Sequence, residues 1–367
     1  MASTPIAKEY YVFIGTYAAA DKKGLYVYKF NTHTGKAAMI DAVAGVANPS
    51  FLALSPDQQH LYVVSETHQK KDGRTYAYRF DYQREKLILL NHSFSKGSDP
   101  CNIICDRTGR WLFACNYSSG SLAVLPVQPK GGVGPLVQLV QHKGHSIDKK
   151  RQTEAHVHCA QLAPDQRHLL VTDLGMDQVF IYLLDSESGQ LSPAVPPFTK
   201  VTPGSGPRII TFSADGHFVY LIHELGGQLS VFAYDNGQLT LLQQCSNLPK
   251  NYEGKIWAAD LHLSPDGKFL YATNRDDLND IVTYKVHANG KITPIDRQLT
   301  GGKTPRNFVI SPDGKYLLCG HQNSGEITVF KRNVKNGLLM HVDPDIAVPH
   351  AACLQMVPVP ASAANSQ

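Results

Sequence analysis

Long apolar runs are missing from this 367-residue sequence: none nears the ~20 residues that a membrane-spanning helix needs. Charge is sparse as well. Asp, Glu, Lys and Arg make up 18% of the chain and the formal net charge is +4. The densest basic run, Lys149-Lys150-Arg151, is short and sits in a polar connection, so the basic stripe of a nucleic-acid binder is absent. The seven cysteines are odd in number and no two have C-x-x-C spacing, which argues against a zinc or redox motif. Cys115 and Cys319 fall inside apolar runs, where the thiol behaves as a small buried hydrophobe. The expectation is reduced thiols and a cytoplasmic protein without membrane or nucleic-acid partners. The first residues, Met-Ala-Ser-Thr-Pro-Ile-Ala-Lys-Glu, lack the basic-then-apolar layout of a signal peptide. No G-x-S-x-G phrase marks a serine nucleophile. The apolar runs, four to six residues long and bounded by Gly, Pro, Asn or Asp, carry no sustained 3.6 period, which excludes a helical fold.

What the sequence does have is apolar and aromatic material, 43% hydrophobic residues with 17 Tyr and 14 Phe, which suits pleated sheet. It also repeats itself. An apolar strand, a turn of the Ser-Pro-Asp-Gly type and a second apolar strand recur with anchors at Asp57, Thr108, Asp165, Asp215, Asp266 and Asp313, spaced by 51, 57, 50, 51 and 47 residues. Pro presets φ in such a turn, Asp tolerates the bridge conformation and Gly takes the positive φ. A third strand follows each pair, as in Val179–Leu183 and Leu229–Tyr234, and then a weaker fourth. Four antiparallel strands every ~50 residues is the signature of a propeller blade.

The two ends complete a seventh blade. The tail from Pro349 to Met356 reads as an opening strand with no successor, and the head, from Tyr10 to Tyr17 and Gly24 to Phe30, reads as second and third strands with no opener. Pairing them closes the ring and removes long exposed edges. The expected fold is all-β: a seven-bladed propeller of four-stranded antiparallel blades, ring closed by pairing the N- and C-terminal strands. It spans 1–367 as one domain, with about 1–9 and 358–367 as flexible tails and a monomer or weak homo-oligomer as its state.

The inner strand of each blade lines the central channel. The residue seven before each anchor opens that strand: Ser50, Cys101, His158, Arg208, Ala259, Arg306 and, by matching the tail, His350. The residue nine after each anchor closes the second strand: Glu66, Tyr117, Leu174, Glu224, Arg275 and Gln322. Polar groups therefore gather at one mouth. Each also has a plainer reading: Arg208 and Arg306 satisfying carbonyls between blades, Glu224 in an inter-blade ion pair with Arg275, His158 as a satisfied core histidine. A metal site was weighed at His142, His145, His156 and His158, since His156 and His158 alternate on a strand and zinc wants three such ligands; no acidic ligand besides Glu154 accompanies them, so neither a metal nor another cofactor is expected.

The phrases Asn116-Tyr-Ser-Ser-Gly-Ser121, His156-Val-His158, Asp173-Leu-Gly175, Gly204-Ser-Gly-Pro-Arg208, His223-Glu-Leu225, Asn274-Arg275 and Thr304-Pro-Arg-Asn307 run in order through nearly the whole chain. In them the sequence resembles the lactonase seven-bladed propeller family, which includes bacterial 6-phosphogluconolactonases and fungal carboxy-muconate lactonising enzymes. The resemblance implies hydrolysis of 6-phosphogluconolactone in the pentose phosphate route, with His158, Glu224, Arg208 and Arg275 as catalytic residues. Arg306, Asn116, Glu66 and His350 are expected to bind the small anionic sugar lactone. The last blade departs from the family pattern at Pro349-His-Ala-Ala-Cys353. Opening a lactone needs a base for water and donors for the developing oxyanion. Arginines beside Glu224 would lower its pKa, which favours His158 as base and Glu224 as orienter. The other readings are a lactonase or cycloisomerase on another carboxylate-bearing substrate, and a non-catalytic propeller that binds proteins, against which the missing Trp-Asp dipeptide counts.

Overall fold

The structure is a computed structural model that describes residues 8–67 and 72–360. Its strands form seven antiparallel sheets. Blade I pairs Ala351–Pro358 with Glu9–Thr16, Leu25–Asn31 and Lys36–Val43. From the inside outward, blade II starts Leu52–Leu54 and His60–Ser65, blade III Pro100–Cys105 and Trp111–Asn116, and blade IV Val157–Leu162 and His168–Asp173. Blade V starts Pro207–Phe212 and Phe218–His223, blade VI Ala258–Leu263 and Phe269–Asn274, and blade VII Pro305–Ile310 and Tyr316–His321. Each of these inner strands touches the inner strand of the next blade, and Ala351–Pro358 touches both Pro305–Ile310 and Leu52–Leu54, which closes the ring. The closure is the expected one: Tyr10 pairs Pro358, Val12 pairs Met356 and Ile14 pairs Leu354. Most of the two predicted tails, 1–7 and 361–367, lies outside the described residues; of the remainder, Glu9 opens a strand and Pro358 ends one.

Burial explains the strand pattern. A second strand lies between neighbouring blades and is apolar on both faces, so Trp111–Asn116 and Phe269–Asn274 are buried at every residue. Outer strands such as Lys86–Phe94 have one wet face and alternate. The core is accordingly a ring of inter-blade layers; one joins Tyr11, Phe13 and Val27 of blade I to Leu61, Val63 and Tyr78 of blade II.

The repeated turn is held by its own side chains. Ser55 Oγ donates to Asp57 and accepts from the His60 N–H at 2.9 Å, and the same pair recurs at Ser213/Asp215, Ser264/Asp266 and Ser311/Asp313. Blade III swaps the two roles: Asp106 stands at the serine position, accepts from Arg110 N and Trp111 N at 2.8 Å, and is met by Thr108 at the Asp position. The glycine position has φ of +68° to +77° at Gly109, Gly216, Gly267 and Gly314, whereas Gln58 and Gln166 hold +60° and +58° without glycine's freedom.

An irregularity in the inner strand sets up the channel mouth in most blades. The inner strand bulges at its first turn, between Pro100 and Asn102, Val157 and Cys159, Pro207 and Ile209, and Pro305 and Asn307. Cys101, His158, Arg208 and Arg306 are the extra residues, which a bulge re-aims out of the ladder. In the closing blade the irregularity falls between Ala351 and Cys353, so Ala352 occupies that position. The expectation for His350 is therefore corrected. His350 is equivalent to Asn48, Asp99, Gly206 and Thr304, which like it have positive φ, and like theirs its carbonyl accepts from the residue after the second strand, here Tyr17 at 3.0 Å. Pro349-His350 imitates Pro207-Arg208 in sequence but lies two residues out of register.

Candidate active site

The second strands end on buried polar residues that pin the mouth loops, and the residues just after them face one another. Asn116 is one of the pins. Its Nδ2 donates to Ser121 Oγ at 3.2 Å, and its side chain packs so tightly on Gly97 that a Cβ there would come within 2.3 Å of it. It is completely buried, and among the described residues its Oδ1 has no hydrogen-bond partner. Asp173 likewise holds His142 Nδ1 at 2.7 Å, and the other His142 nitrogen meets Tyr182 OH at 2.8 Å. His156 stacks on Tyr117 at 4.4 Å between ring centroids and His145 is exposed, so the four histidines weighed as metal ligands are scattered. Among the described residues no three His, Cys, Asp or Glu converge.

Glu224, just past the second strand of blade V, is the hub. Its Oε2 accepts from Arg208 Nε at 2.9 Å and from Arg275 Nη2 at 2.7 Å, and its Oε1 accepts from Arg151 Nη2 at 2.6 Å. Arg208 comes from the blade V bulge, Arg275 follows the second strand of blade VI, and Arg151 arrives from the connection between blades III and IV. Arg208 also donates to Ala259 O, and Arg275 to Ala258 O at 3.0 Å and Trp257 O at 3.4 Å. The inter-blade reading of Arg275 and Glu224 thus describes real bonds, made by a carboxylate and two guanidiniums whose side chains are 2–4% exposed. Burial pushes the Glu224 carboxyl up, but Arg275, Arg208 and Arg151 outweigh it and hold the group well below the carboxylate range, hence ionised. Burial pulls Arg275 down to about 9, which leaves it a cation at neutral pH.

His158, the bulge residue of blade IV, is buried and its Nδ1 has no hydrogen-bond partner among the described residues. Burial first and Arg208 second push its pKa well below the usual imidazole range. It is a neutral imidazole with an unsatisfied nitrogen, not a satisfied core histidine.

The second lobe of the mouth is built on Glu66, which accepts from Ser50 Oγ and, at 2.7 Å, from Tyr17 OH. Arg306, from the blade VII bulge, lies 3.7 Å from Glu66 and sits over the Tyr17 ring at 5.1 Å. That distance is too long for a hydrogen bond, and among the described residues the Arg306 guanidinium donates to no acceptor. It is the mouth arginine with all its donors to spare. The lobes share one field: Arg306 and Glu224 act on each other electrostatically, and His158 feels Arg208, Arg306 and Arg275. Four guanidiniums against two carboxylates leave the mouth a formal net charge of +2.

The structure therefore brings His158, Arg208, Glu224, Arg275, Arg306 and Glu66 to one mouth. Asn116 stays in a blade, and His350 stands apart, exposed, its Nδ1 against Gln322 O at 2.9 Å. Sequence reasoning missed Arg151 and Tyr17. Tyr17 could have been found, since closing blade I puts it in the ring that contains Glu66 and Glu224. Arg151 lies outside the repeat and gave no periodic signal.

Fold and site together define a β-propeller whose channel mouth gathers four guanidiniums, two carboxylates and a buried imidazole. The profile of the family described as "Lactonase, 7-bladed beta-propeller" matches residues 11–356, and the chain belongs to that family of enzymes. A 6-phosphogluconolactonase of Formosa agariphila is 34% identical over 94% of this chain and 99% of its own. A 6-phosphogluconolactonase of Bacillus subtilis is 27% identical over 95% and 99%. Among solved structures, the periplasmic gluconolactonase of Pseudomonas aeruginosa superposes with a TM-score of 0.91 at 37% identity, covering 96% of this chain and all of the other. Among the described residues no helix is long and apolar enough to cross a membrane.

Proposed function

We propose that the mouth hydrolyses 6-phosphogluconolactone to 6-phosphogluconate. One observation carries the choice of an anionic substrate: Arg306 faces the mouth with unspent donors, in a site of net charge +2 that suits a phosphate dianion. The names of the Formosa and Bacillus relatives support the same reading.

In the reaction, a water oxygen bonds to the lactone carbonyl carbon and the ring C–O bond breaks. One water proton passes through the enzyme's base to the ring oxygen, which leaves as a hydroxyl; the new carboxylic acid ionises. Glu224 suits the base better than His158, reversing the roles expected from sequence. His158 would have to take on positive charge in a buried position beside Arg208; Glu224, although its arginines make it a weak base, gains no charge when it takes up a proton. Arg275 and Arg208 donate to the oxyanion as it forms. His158, neutral, can orient the water.

The Pseudomonas relative favours a second reading, unphosphorylated gluconolactone. Both lactones open spontaneously, so the test is the rate of proton release from freshly made lactone with and without enzyme, at matched pH. Acceleration of the phosphorylated lactone alone, or by a clearly larger kcat/KM, is expected; no acceleration of either ends the proposal. We further place the protein in the cytoplasm and its reaction in the oxidative pentose phosphate route. All seven cysteines are free, which fits a reducing compartment, and cell fractionation decides against a periplasmic site like that named for the Pseudomonas relative.

A further inference from the structure

Three arginines converge on Glu224, and one is unlike the others. Arg208 and Arg275 stand on the strand frame, bind the same oxygen and spend further donors on carbonyls of blade VI. Arg151 alone binds Oε1. Its side chain is 38% exposed, and only Nη2 is used, shared between Glu224 and, at 3.1 Å, the Tyr117 hydroxyl. Among the described residues Nε and Nη1 have no acceptor.

The backbone beneath it is fixed. Asp148 Oδ1 accepts from Lys150 N at 2.8 Å and Arg151 N at 3.0 Å, and Asp148 O accepts from Gln152 N at 2.9 Å. The Gln152 side chain is buried and donates to Leu174 O at 2.8 Å. A swing of Arg151 therefore involves side-chain torsions and not a loop opening. The Trp257 ring, 5.9 Å from its guanidinium, offers an apolar surface along which a planar cation can slide.

We propose that Arg151 is an exchangeable counter-ion: it pairs with Glu224 Oε1 in the empty site and transfers to the anionic group of an arriving substrate. The trade exchanges a charge-assisted bond to a singly charged carboxylate for one to a more highly charged anion, so binding keeps the difference, and it leaves Oε1 bare only when an anion is bound. A carboxylate that loses one of three cationic neighbours becomes more basic, so substrate binding itself readies Glu224 for proton transfer. This inference rests on the functional reading given above for what Glu224 then does, but the exchange can be tested without turnover.

The test is calorimetric titration of the full chain with inorganic phosphate, using wild type, Arg151→Gln, Glu224→Gln and the double variant. Arg151→Gln should weaken phosphate binding by about three- to tenfold, the margin of a bond to phosphate over the bond to Glu224 that it replaces, and Arg151→Lys should restore part of the loss. Glu224→Gln frees Arg151 and should tighten phosphate binding; in an exchange, most of that gain vanishes in the double variant. A gain that survives the loss of Arg151, or an Arg151→Gln affinity equal to wild type, overturns the proposal. If Glu224→Gln does not fold, the single Arg151 variants decide, because that side chain lies half in solvent. In turnover the exchange predicts a raised KM with kcat within about threefold of wild type; a reduced kcat at unchanged KM contradicts it. Phosphate binding that depends on Arg151 in a protein that accelerates no lactone would sink the functional reading and keep the exchange. Acceleration with Arg151-independent phosphate binding would do the reverse.

Discussion

Replacing Glu224 with Gln tests the hub of the mouth in two ways at once. Glutamine keeps the shape and one acceptor oxygen, but it removes the charge and puts an N–H donor against guanidinium donors. The bonds at stake are those of 2.9, 2.7 and 2.6 Å from Arg208, Arg275 and Arg151. Arg208 and Arg275 would stay buried without a counter-ion, and breaking a buried pair from one side costs about 3–5 kcal/mol. Two effects pull this down: the retained oxygen still accepts one bond, and half-exposed Arg151 can turn to water. A loss of about 2–3 kcal/mol at pH 7 is expected, read from urea unfolding midpoints at constant m.

The pH dependence of that loss has a definite sign. The Glu224 pKa is lowered in the folded protein relative to its usual 4.5, so its stabilisation is fully present above that value and is lost as pH falls through the folded pKa. The wild-type advantage should therefore hold from pH 7 to about pH 5 and shrink below that. Turnover should fall by about 10²–10⁴ with loss of the base. Equal stability of the two proteins at pH 7, or an advantage that grows on acidification, would refute the account of Glu224 as a carboxylate kept ionised by three arginines.

Arg306→Gln removes the guanidinium with free donors. It should raise KM for the phosphorylated lactone about tenfold or more, while gluconolactone, which lacks the dianion, should change by less than about threefold; equal effects on both would mean that Arg306 does not read the phosphate. Gln58 carries φ +60° at an exposed turn position where other blades have glycine. Gln58→Gly should stabilise the protein by up to about 1 kcal/mol, since the left-handed conformation costs an L-residue about that much; a lower thermal midpoint would contradict the reading of this turn.

The repeat made most of the fold legible, because a turn such as Ser264-Pro-Asp-Gly267 writes its hydrogen bonds into consecutive residues. Ring closure was legible for a similar reason: the tail and head are complementary fragments of one blade. Site positions counted from those anchors arrive at the mouth because Arg208 sits in the same inner-strand bulge as His158 and Arg306, and Arg275 follows its second strand as Glu224 does. His350 failed because proline-plus-polar is a weaker marker than the bulge, and two residues of register separate a channel position from an exposed corner. Asn116 pins a loop within its own blade, and a buried pin and a ligand-binding amide look alike in sequence. Arg151 was invisible to any periodic argument. Its role depends on a non-repeating connection folding back over the mouth, held by Asp148 and Gln152. The number of arginines around Glu224 and the burial of His158 were hidden for the same reason, being properties of the assembled ring.

A crystal structure with 6-phosphogluconate bound tests the central claim most directly. The account predicts the phosphate within hydrogen-bonding distance of Arg306, the new carboxylate beside Glu224, Arg208 and Arg275, and Arg151 turned from Glu224 to the ligand. A ligand seated on the opposite face, among the Ser-Pro-Asp-Gly turns, or at the mouth with its phosphate away from every arginine, would contradict it.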